Sequence, residues 1–279
     1  MYLSLNGTLV AGGQLSWIEF AELAARVGYE GVDVNLGAAM REGLEETRAL
    51  LARLKLRPGI IGLPVDFRQD EAVFQQGLAK LEEAAEFARA IGCPRMATWV
   101  MSSSDRPKPE QRRILKERIQ ACAEILRKYD IRLGLEFLGP LHLRRRFPYE
   151  FIYRMDEMLE FARECGPNLG LLLDSWHWHL AGATEADIYR AGREGIVHVH
   201  VSDVPAGLPP EKILDSERLM PGEGAVDWKA FFGALRKIGY RDAVSPEVFG
   251  RGLKTMRPED GARLGLSYTL DIMRRTGVI

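Results

Sequence analysis

The fold is indicated by stretches such as LLLDSWHWHLAG (171–182), in which a leucine run changes abruptly to an aspartate, histidines and tryptophans. An unbroken apolar run is typical of a strand that is buried on both faces. Strands of that kind belong to parallel sheets that are covered by helices. The polar residues that follow the leucines are therefore expected at the carboxyl end of a buried strand, where a loop begins.

The same change of character recurs along the chain, where short apolar runs alternate with longer amphipathic segments. Ser16 and Glu19 have the spacing of a capping box, which predicts that a helix begins there. Pro107 also suits the start of a helix. The predicted strands are 2–6, 31–35, 57–65, 95–101, 132–137, 169–174, 196–201 and 243–249. The predicted helices are 16–27, 44–55, 70–91, 107–129, 155–165, 184–193, 227–238 and 259–275.

Eight strand–helix units in 279 residues predict an α/β protein with a single (β/α)₈ TIM barrel as its one domain, residues 1–279. No segment rich in proline, glycine and serine divides the chain. The alternative is an open doubly wound sheet, which normally has a GxGxxG motif after a strand. No predicted strand is followed by that motif, so the closed barrel is favoured.

The composition excludes several classes of partner. A net charge of −1 gives no electrostatic basis for binding nucleic acid or an anionic membrane. No apolar run reaches the ~18 residues of a membrane span, and the N-terminus lacks the features of a signal peptide. The three cysteines are widely spaced, which suits a reducing compartment. We expect a cytoplasmic protein that binds a small carbohydrate, and the sequence leaves a homo-oligomer open.

Four consecutive predicted strands each carry a potential metal ligand near the carboxyl end, where barrels of this kind build their active sites. A lone aspartate such as Asp174 is more often a turn or cap residue, but four successive strands with a ligand each favour a shared site. Three carboxylates and one imidazole suit one divalent cation, with Mn²⁺ favoured over Mg²⁺, Co²⁺ or Zn²⁺. The four residues are Glu136, Asp174, His200 and Glu247.

The motifs LGLEF (133–137), LLLDSWH (171–177), VHVHVSD (197–203), PGEGAVDW (221–228) and SPEVFG (245–250) resemble those of a known family. This family is that of the xylose isomerase-like barrels, also called the sugar phosphate isomerase/epimerase superfamily. It shares its fold with AP endonuclease family 2. The resemblance covers nearly the whole chain, and its motifs specify the superfamily better than the substrate. It implies that His177 contacts a substrate oxygen. It also implies that one divalent metal ion is bound by Glu136, Asp174, His200 and Glu247.

A divalent-metal-dependent isomerase or epimerase of a sugar, keto-sugar or related polyol is the function that these residues predict. The metal would act as a Lewis acid that stabilises an enediolate. Glu136 and Glu247, expected on opposite sides of the substrate, would transfer protons as base and acid. The chain departs from the ketohexose epimerase branch, because it has His142 where those enzymes tend to carry a second glutamate. It also has VPAG (204–207) where they carry an arginine, so C3 epimerisation of a free ketohexose is not predicted.

Other functions within the superfamily stay open. A dehydratase or lyase that acts on an inosose, dehydroshikimate or a 3-keto-glycoside would use similar metal-assisted enolisation. An AP endonuclease-like hydrolase would need histidines from early strands, whereas all five histidines lie between His142 and His200. A non-catalytic binding barrel is disfavoured by the intact set of four potential ligands.

Three further residues are candidates for substrate binding. Trp176 has an aromatic face that could stack on the C–H surface of a sugar, although ordinary packing explains it nearly as well. Arg144 belongs, with Arg145 and Arg146, to the only basic cluster, which could hold an anionic group or be solvated. His142 occupies the position of the missing glutamate, so it is the third candidate.

Overall fold

The computed structural model describes residues 1–279, and its eight long strands close into one parallel barrel. The strands are β1 Tyr2–Leu5, β2 Gly31–Val34, β3 Arg57–Gly62, β4 Arg95–Val100, β5 Arg132–Phe137, β6 Leu169–Asp174, β7 Ile196–Val201 and β8 Ala243–Pro246. They follow one another around the barrel in chain order, and β1 pairs with both β2 and β8. The (β/α)₈ TIM barrel predicted from the sequence is therefore confirmed.

Helices surround the barrel and connect successive strands. They are α1 Trp17–Val27, α2 Leu36–Glu42, α3 Leu44–Leu54, α4 Glu71–Ala90, α5 Lys108–Lys128, α6 Leu141–Arg144, α7 Met155–Cys165, α8 Ser175–Leu180, α9 Glu185–Gly195, α10 Trp228–Lys237 and α11 Pro258–Arg275. Short 3₁₀ helices are Gly7–Val10, Pro210–Lys212, Asp215–Glu217 and Leu253–Thr255. The predicted capping box begins α1, because Ser16 Oγ accepts from Glu19 N and the Glu19 carboxylate accepts from Ser16 N. No helix is both long and apolar enough to span a membrane.

The observed bounds differ from the predicted ones mainly at the site end of the barrel. β8 ends at Pro246, so Glu247 is the first residue beyond the strand rather than part of it. α2 was not predicted. The loop expected directly after Asp174 is wrong, because SWHWHL (175–180) forms α8.

α8 forms because its first turn is capped and one face is buried. Asp174 Oδ1 accepts a hydrogen bond from Trp176 N at 2.8 Å, which satisfies one of the unpaired amide groups at the helix start. Trp178 packs edge-on against Phe231 on α10 with ring centroids 5.3 Å apart. Ser175 Oγ donates to Ser202 O at 2.7 Å, which ties the helix to the end of β7. Six residues are too few for a helical period to be recognised in the sequence.

The end of the barrel opposite the predicted site is closed by a buried arginine. Arg95, at the start of β4, donates to Gly59 O at 2.9 Å and to the Tyr2 hydroxyl at 3.3 Å. Its guanidinium also pairs with Asp242 at 3.0 Å. These contacts connect three strands across the barrel floor, so the side chains of Arg95 and its partners fill this end of the barrel. Barrels of this kind build their active sites at the other end, where the strands have their carboxyl ends.

Gly139, in the loop after β5, allows that loop to pack directly on α8. A Cβ atom at this position would lie 2.6 Å from His177 O and 2.7 Å from Ala181 N, which are both backbone atoms that cannot yield easily. We therefore expect Gly139→Ala to lower the free energy of unfolding by about 1–3 kcal/mol, the usual cost of overpacking. Chemical denaturation measures the effect.

Gly233→Ala is the matched control. A Cβ atom at this position of α10 meets nothing within 4 Å, so the better helix propensity of alanine should stabilise the protein by about 0.5–1 kcal/mol. Equal unfolding free energies for Gly139→Ala and the unsubstituted protein would show that the loop and α8 are not in tight contact.

Candidate active site

The four predicted ligands converge at the carboxyl ends of neighbouring strands. Glu136 lies on β5, Asp174 ends β6, His200 lies on β7, and Glu247 follows β8. Asp174 and His200 are direct partners in the register of β6 and β7. One ligand atom from each of the four side chains lies within 4.8 Å of the others. Residues from four strands thus form one compact cluster, which we call the acidic cluster.

The acidic cluster fits a divalent metal ion. Glu136 Oε1 and His200 Nε2 are buried and have no hydrogen-bond partner, and His200 Nδ1 has only Glu247 Oε2 beside it, at 3.4 Å. Buried polar atoms normally have partners, because leaving them unpaired costs about 1–3 kcal/mol each. An ion bound among three carboxylates and an imidazole would satisfy these atoms, and that donor set suits Mn²⁺, Mg²⁺, Co²⁺ or Zn²⁺. The carboxylates are closer together than expected for groups on opposite sides of a substrate, so they would bracket an ion rather than a sugar ring.

Arg218 is a member of the site that the sequence did not identify. Its Nη1 donates to Asp174 Oδ2 at 2.6 Å and to Glu247 Oε2 at 3.1 Å. Only 3% of its side chain is exposed, so the charge is buried together with the carboxylates. The guanidinium offsets part of the repulsion among the carboxylates. Arg218 therefore supplies a cation to the site. The sequence had indicated none, because VPAG (204–207) stands where the ketohexose epimerases carry an arginine.

The loop between β7 and α10 brings Arg218 into the site, and Asp203 holds that loop in place. Asp203 is completely buried, and its backbone pairs with Leu219, the neighbour of Arg218, in both directions at 2.9 Å. The carboxylate accepts hydrogen bonds at 2.8–2.9 Å from four groups of the loop and of α10. These are the backbone amides of Val204, Gly222 and Val226 and the indole N–H of Trp228.

The members of the acidic cluster have strongly shifted pKa values. Burial and the neighbouring carboxylates of Glu247 and Asp174 raise the pKa of Glu136 well above its usual range. Burial also opposes ionisation of Glu247, but His200 and Arg218 outweigh it and lower the pKa of Glu247 to about 2. Burial opposes protonation of His200, but the surrounding carboxylates raise its pKa to about 10. At neutral pH His200 is therefore protonated and Glu247 is ionised, whereas ionisation of Glu136 is disfavoured by its surroundings.

His177, on α8, lies at the edge of the acidic cluster. Its Nδ1 accepts from Gly139 N at 3.3 Å, and its Nε2 lies 3.1 Å from Arg218 Nη2 and 3.9 Å from Glu136 Oε1. Burial, followed by the charge of Arg218, lowers the pKa of His177 well below its usual range. The ring is therefore neutral, and a neutral imidazole accepts at only one nitrogen, so one of the two donors is left for another partner. Its contact with a substrate oxygen stays a prediction.

A cleft of about 590 Å³ opens beside the acidic cluster, and Glu136, His200 and Glu247 line one side of it. Its other walls come from β1 to β4 and the residues that follow them. Trp99 on β4 is 39% exposed there and is the register partner of Glu136, so the indole stands beside that carboxylate. Arg68 stacks on this indole at 3.9 Å. A cleft of this size accommodates a small molecule such as a sugar.

Two residues predicted to bind substrate lie outside the lining of this cleft. His142 on α6 contacts the loop between β7 and α10, with its Nε2 3.4 Å from Asp215 Oδ2. Arg144 pairs with Glu150 at 2.7 Å and lies 3.6 Å from the ring centroid of Tyr153. Because local partners occupy both side chains, they hold loops together at the site end of the barrel.

Trp176, the third predicted substrate-binding residue, also lies outside the cleft. Its side chain is 0% exposed, because α8 directs the indole into the core. The Arg218 guanidinium carbon lies 5.4 Å from its ring centroid. The packing interpretation of Trp176 therefore describes its place in the structure, beside the buried arginine.

A second group of potential ligands lies behind His200. Asp33, His198 and His200 each place a ligand atom within 4.8 Å of the other two. Asp33 Oδ1 already accepts from Ser4 Oγ at 2.6 Å and Ser245 Oγ at 2.9 Å, and His198 Nε2 lies 3.0 Å from Ser245 Oγ. We interpret this group as a hydrogen-bonded network rather than a second metal site, since the carboxylate already has its donors.

Comparison with known proteins confirms the family resemblance of the motifs. A family described as "Xylose isomerase-like TIM barrel" matches residues 21–272, a span that includes every member of the acidic cluster. A xylose isomerase domain protein from Alicyclobacillus acidocaldarius, whose structure is solved, is 30% identical, with a TM-score of 0.89 over 99% of both chains.

Two named relatives are isomerases. An inosose isomerase from Bacillus velezensis is 27% identical over 82% of this chain and 81% of its own length. A human protein, named provisionally as a hydroxypyruvate isomerase, is 30% identical over 85% of this chain and 88% of its own length. Identity at this level relates the chains as a family without assigning the substrate of one to another.

Metal binding by the acidic cluster should release protons. The pKa of His200 is raised to about 10, so its imidazole is protonated at neutral pH and an ion must displace that proton, together with any proton that the raised pKa retains on Glu136. Affinity for Mn²⁺ should therefore rise with pH, by up to about tenfold per pH unit for each proton displaced. Calorimetry of EDTA-stripped protein, in buffers of different ionisation enthalpy, measures both the affinity and the protons released.

His142→Gln is the control for this measurement, because it removes an imidazole that lies outside the acidic cluster. It should bind Mn²⁺ with the same affinity and proton release as the unsubstituted protein. Binding that is independent of pH and releases no proton would contradict this assignment of protons.

Asp203→Ala should free the loop that carries Arg218. Four donors lose their acceptor, so we expect the free energy of unfolding to fall by about 3 kcal/mol. Limited proteolysis should then cut within residues 204–227. Asp66→Ala, which removes an exposed partner of Arg68, is the control and should change stability by less than about 0.5 kcal/mol. Unchanged stability and protease resistance in Asp203→Ala would show that Asp203 does not anchor the loop.

Proposed function

The chain belongs to the xylose isomerase-like TIM-barrel family, and from this premise we propose that it is a divalent-metal-dependent isomerase or epimerase. Its substrate is a sugar, keto-sugar or related polyol. The reaction moves a proton next to a carbonyl group, with Glu136 and Glu247 as acid and base. The observation that carries the proposal is the convergence of four potential ligands, within 4.8 Å of one another, beside a cleft of about 590 Å³.

Glu136, Asp174, His200 and Glu247 would hold the ion, and we propose Mn²⁺ as the natural one. When bound, the ion supplies Lewis acidity that makes the proton next to the carbonyl more acidic. The remaining chemistry falls to the side chains. The chain positions them on four strands of one rigid barrel, which keeps their mutual geometry fixed during the reaction.

Proton transfer needs one carboxylate that is ionised and one that holds a proton. Glu247 meets the first requirement, since His200 and Arg218 outweigh its burial and lower its pKa to about 2. Glu136 meets the second once it has accepted a proton from the substrate, since burial and its acidic neighbours raise its pKa and with it its affinity for a proton. Paired groups whose pKa values are pushed apart are typical of acid–base sites. We assign Glu136 and Glu247 as the pair that exchanges protons with the substrate: the carboxylate that removes the substrate proton becomes protonated, and the glutamate that delivers a proton to the product carbon becomes ionised.

His177 would orient a substrate oxygen and stabilise negative charge on the enediolate, while Arg218 would hold the carboxylates of Asp174 and Glu247 in place. Both side chains are buried beside the carboxylates, so their electrostatic interactions are screened little by water. His177 is neutral because its pKa is lowered, and it can donate one N–H to an oxygen. Arg218 keeps its positive charge whatever the state of its neighbours.

The names of two relatives support isomerisation as the reaction. Inosose isomerase and hydroxypyruvate isomerase both imply movement of a carbonyl group along a hydroxylated carbon chain. The chemistry common to both is proton transfer next to a carbonyl, which is what the paired glutamates provide.

Glu136→Gln and Glu247→Gln should each slow exchange of substrate hydrogen with D₂O by about 10²–10⁴-fold, the usual contribution of a positioned acid or base. The measurement is NMR or mass spectrometry of a panel of ketoses, inososes and keto-glycosides incubated with Mn²⁺-loaded protein. Metal content of each variant, from elemental analysis, separates loss of the proton carrier from loss of the ion. Glu150→Gln, at an exposed glutamate on a neighbouring loop, is the control and should keep full activity.

Two outcomes would overturn the proposal. One is full exchange in both glutamine variants, because the protons would then move through other groups. The other is an absence of exchange for every compound in the panel while the protein holds its metal ion. Loss of water from the substrate, instead of isomerisation, would keep the proton transfer and assign the enzyme to the lyases.

A further inference from the structure

The cleft beside the acidic cluster contains no cationic side chain for an anionic substrate. Among the residues that line it, no lysine or arginine occurs. Its ionisable members are His200 and three carboxylates, those of Asp33, Glu136 and Glu247. Its neutral polar side chains are amides and hydroxyls, which suit the hydroxyl groups of a polyol. They belong to Asn6, Gln14, Ser16, Asn35 and Thr98.

The positive groups around the mouth already have partners or lie elsewhere. Arg68 and Arg144 each pair with a carboxylate of their own loop, Arg251 pairs with Glu223 of the loop between β7 and α10, and none of the three arginines lines the cleft. Arg145 and Arg146 are exposed and also lie outside the lining. A helix start can bind an anion through its free amide groups.

α1 is the longest helix whose N-terminus borders the cleft, and a carboxylate of the helix already lies at this end, where it would repel an anionic ligand. Glu19 folds back and accepts from Ser16 N at 2.8 Å, which closes this end with the helix's own carboxylate. The backbone at the mouth therefore offers an anion no better partner here than the side chains do.

Arg218, the buried arginine at this end of the barrel, is balanced by the acidic cluster itself. It pairs with Asp174 at 2.6 Å and with Glu247 at 3.1 Å. The three carboxylates of the cluster carry three negative charges, which one divalent ion and Arg218 together neutralise when His200 is a neutral ligand. A phosphate or carboxylate on the substrate would then be buried without a counter-charge, which is costly.

From this charge balance we propose that the cleft selects an uncharged sugar or polyol and rejects phosphorylated and carboxylated ones. The inference rests on the proposed function and narrows its substrate class. It separates the two chemistries suggested by the relatives, because an inosose is neutral whereas hydroxypyruvate carries a carboxylate. Neutral hydroxyl groups can bind the amides and hydroxyls of the walls without any compensating charge.

Gly62, at the end of β3, offers a direct way to change the charge of the cleft. It lines the cleft, and a Cβ atom added there meets nothing within 4 Å. Gly62→Arg therefore places a guanidinium in the cleft without crowding the backbone, and Gly62→Gln provides a long polar side chain without the charge. Neither substitution touches the acidic cluster.

The test is calorimetric titration of the Mn²⁺-loaded protein with sorbitol and with sorbitol 6-phosphate. The unsubstituted protein should bind sorbitol about tenfold or more tightly than its phosphate, since an uncompensated charge is disfavoured. Gly62→Arg should strengthen binding of the phosphate by about tenfold and leave sorbitol nearly unchanged. Gly62→Gln should behave like the unsubstituted protein. Equal or tighter binding of the phosphate, or no sorbitol binding, would overturn the inference.

Deuterium exchange with D-fructose and D-fructose 6-phosphate separates this inference from the proposed function. Exchange of the phosphate alone, or of both equally, overturns the charge selection and leaves the isomerase proposal standing. A protein that binds sorbitol selectively, but exchanges no compound of the wider panel while loaded with metal, retains the charge selection and loses the isomerase proposal. Preference for neutral compounds in both binding and exchange supports the two together.

Discussion

The structure of the site depends on one electrostatic constraint, which is the presence of three carboxylates in a space a few ångströms wide. These carboxylates repel one another when they are ionised, and burial makes the repulsion stronger. Three features reduce this repulsion: the buried guanidinium of Arg218, the protonated imidazole of His200 and the raised pKa of Glu136. A divalent ion would replace the protons in the same role. The features that stabilise the cluster are therefore also those on which the proposed metal binding and proton transfer depend.

The two ends of the barrel have different structures, and the acidic cluster lies at only one of them. Arg95 and its partners fill the floor, where the side chains pack and pair with one another. The opposite end is assembled from loops, a short helix and a two-stranded sheet in which Ser103–Ser104 pair with Tyr149–Glu150. Loops of this kind can vary while the barrel stays unchanged, which explains why the fold of the family is easier to recognise than the substrate of any member.

The sequence predicted the barrel, the order of its strands and the residues of the acidic cluster, because each rests on local patterns, whereas it placed the end of β8 too late. Apolar runs mark buried strands, and a carboxylate after such a run stands out. Arg218 could not be found in this way. It follows a loop of irregular conformation, and only the contacts of Asp203 and Leu219 determine where that loop returns to the barrel. The sequence could not decide whether Trp176 is buried, because α8 is too short to show a helical period. The orientation of α8 depends on its packing against β7 and α10.

Asp174 uses its two carboxylate oxygens for different tasks. Oδ1 caps α8 and Oδ2 faces Arg218 within the acidic cluster. Asparagine is as good a helix cap as aspartate, so it would retain the first task while removing the charge that the second one needs. Drift at this position would therefore remove a charge from the acidic cluster and leave the architecture intact. Among relatives of this fold, the residue at the start of this helix would then distinguish chains that keep the charged cluster from well-folded descendants that have lost it.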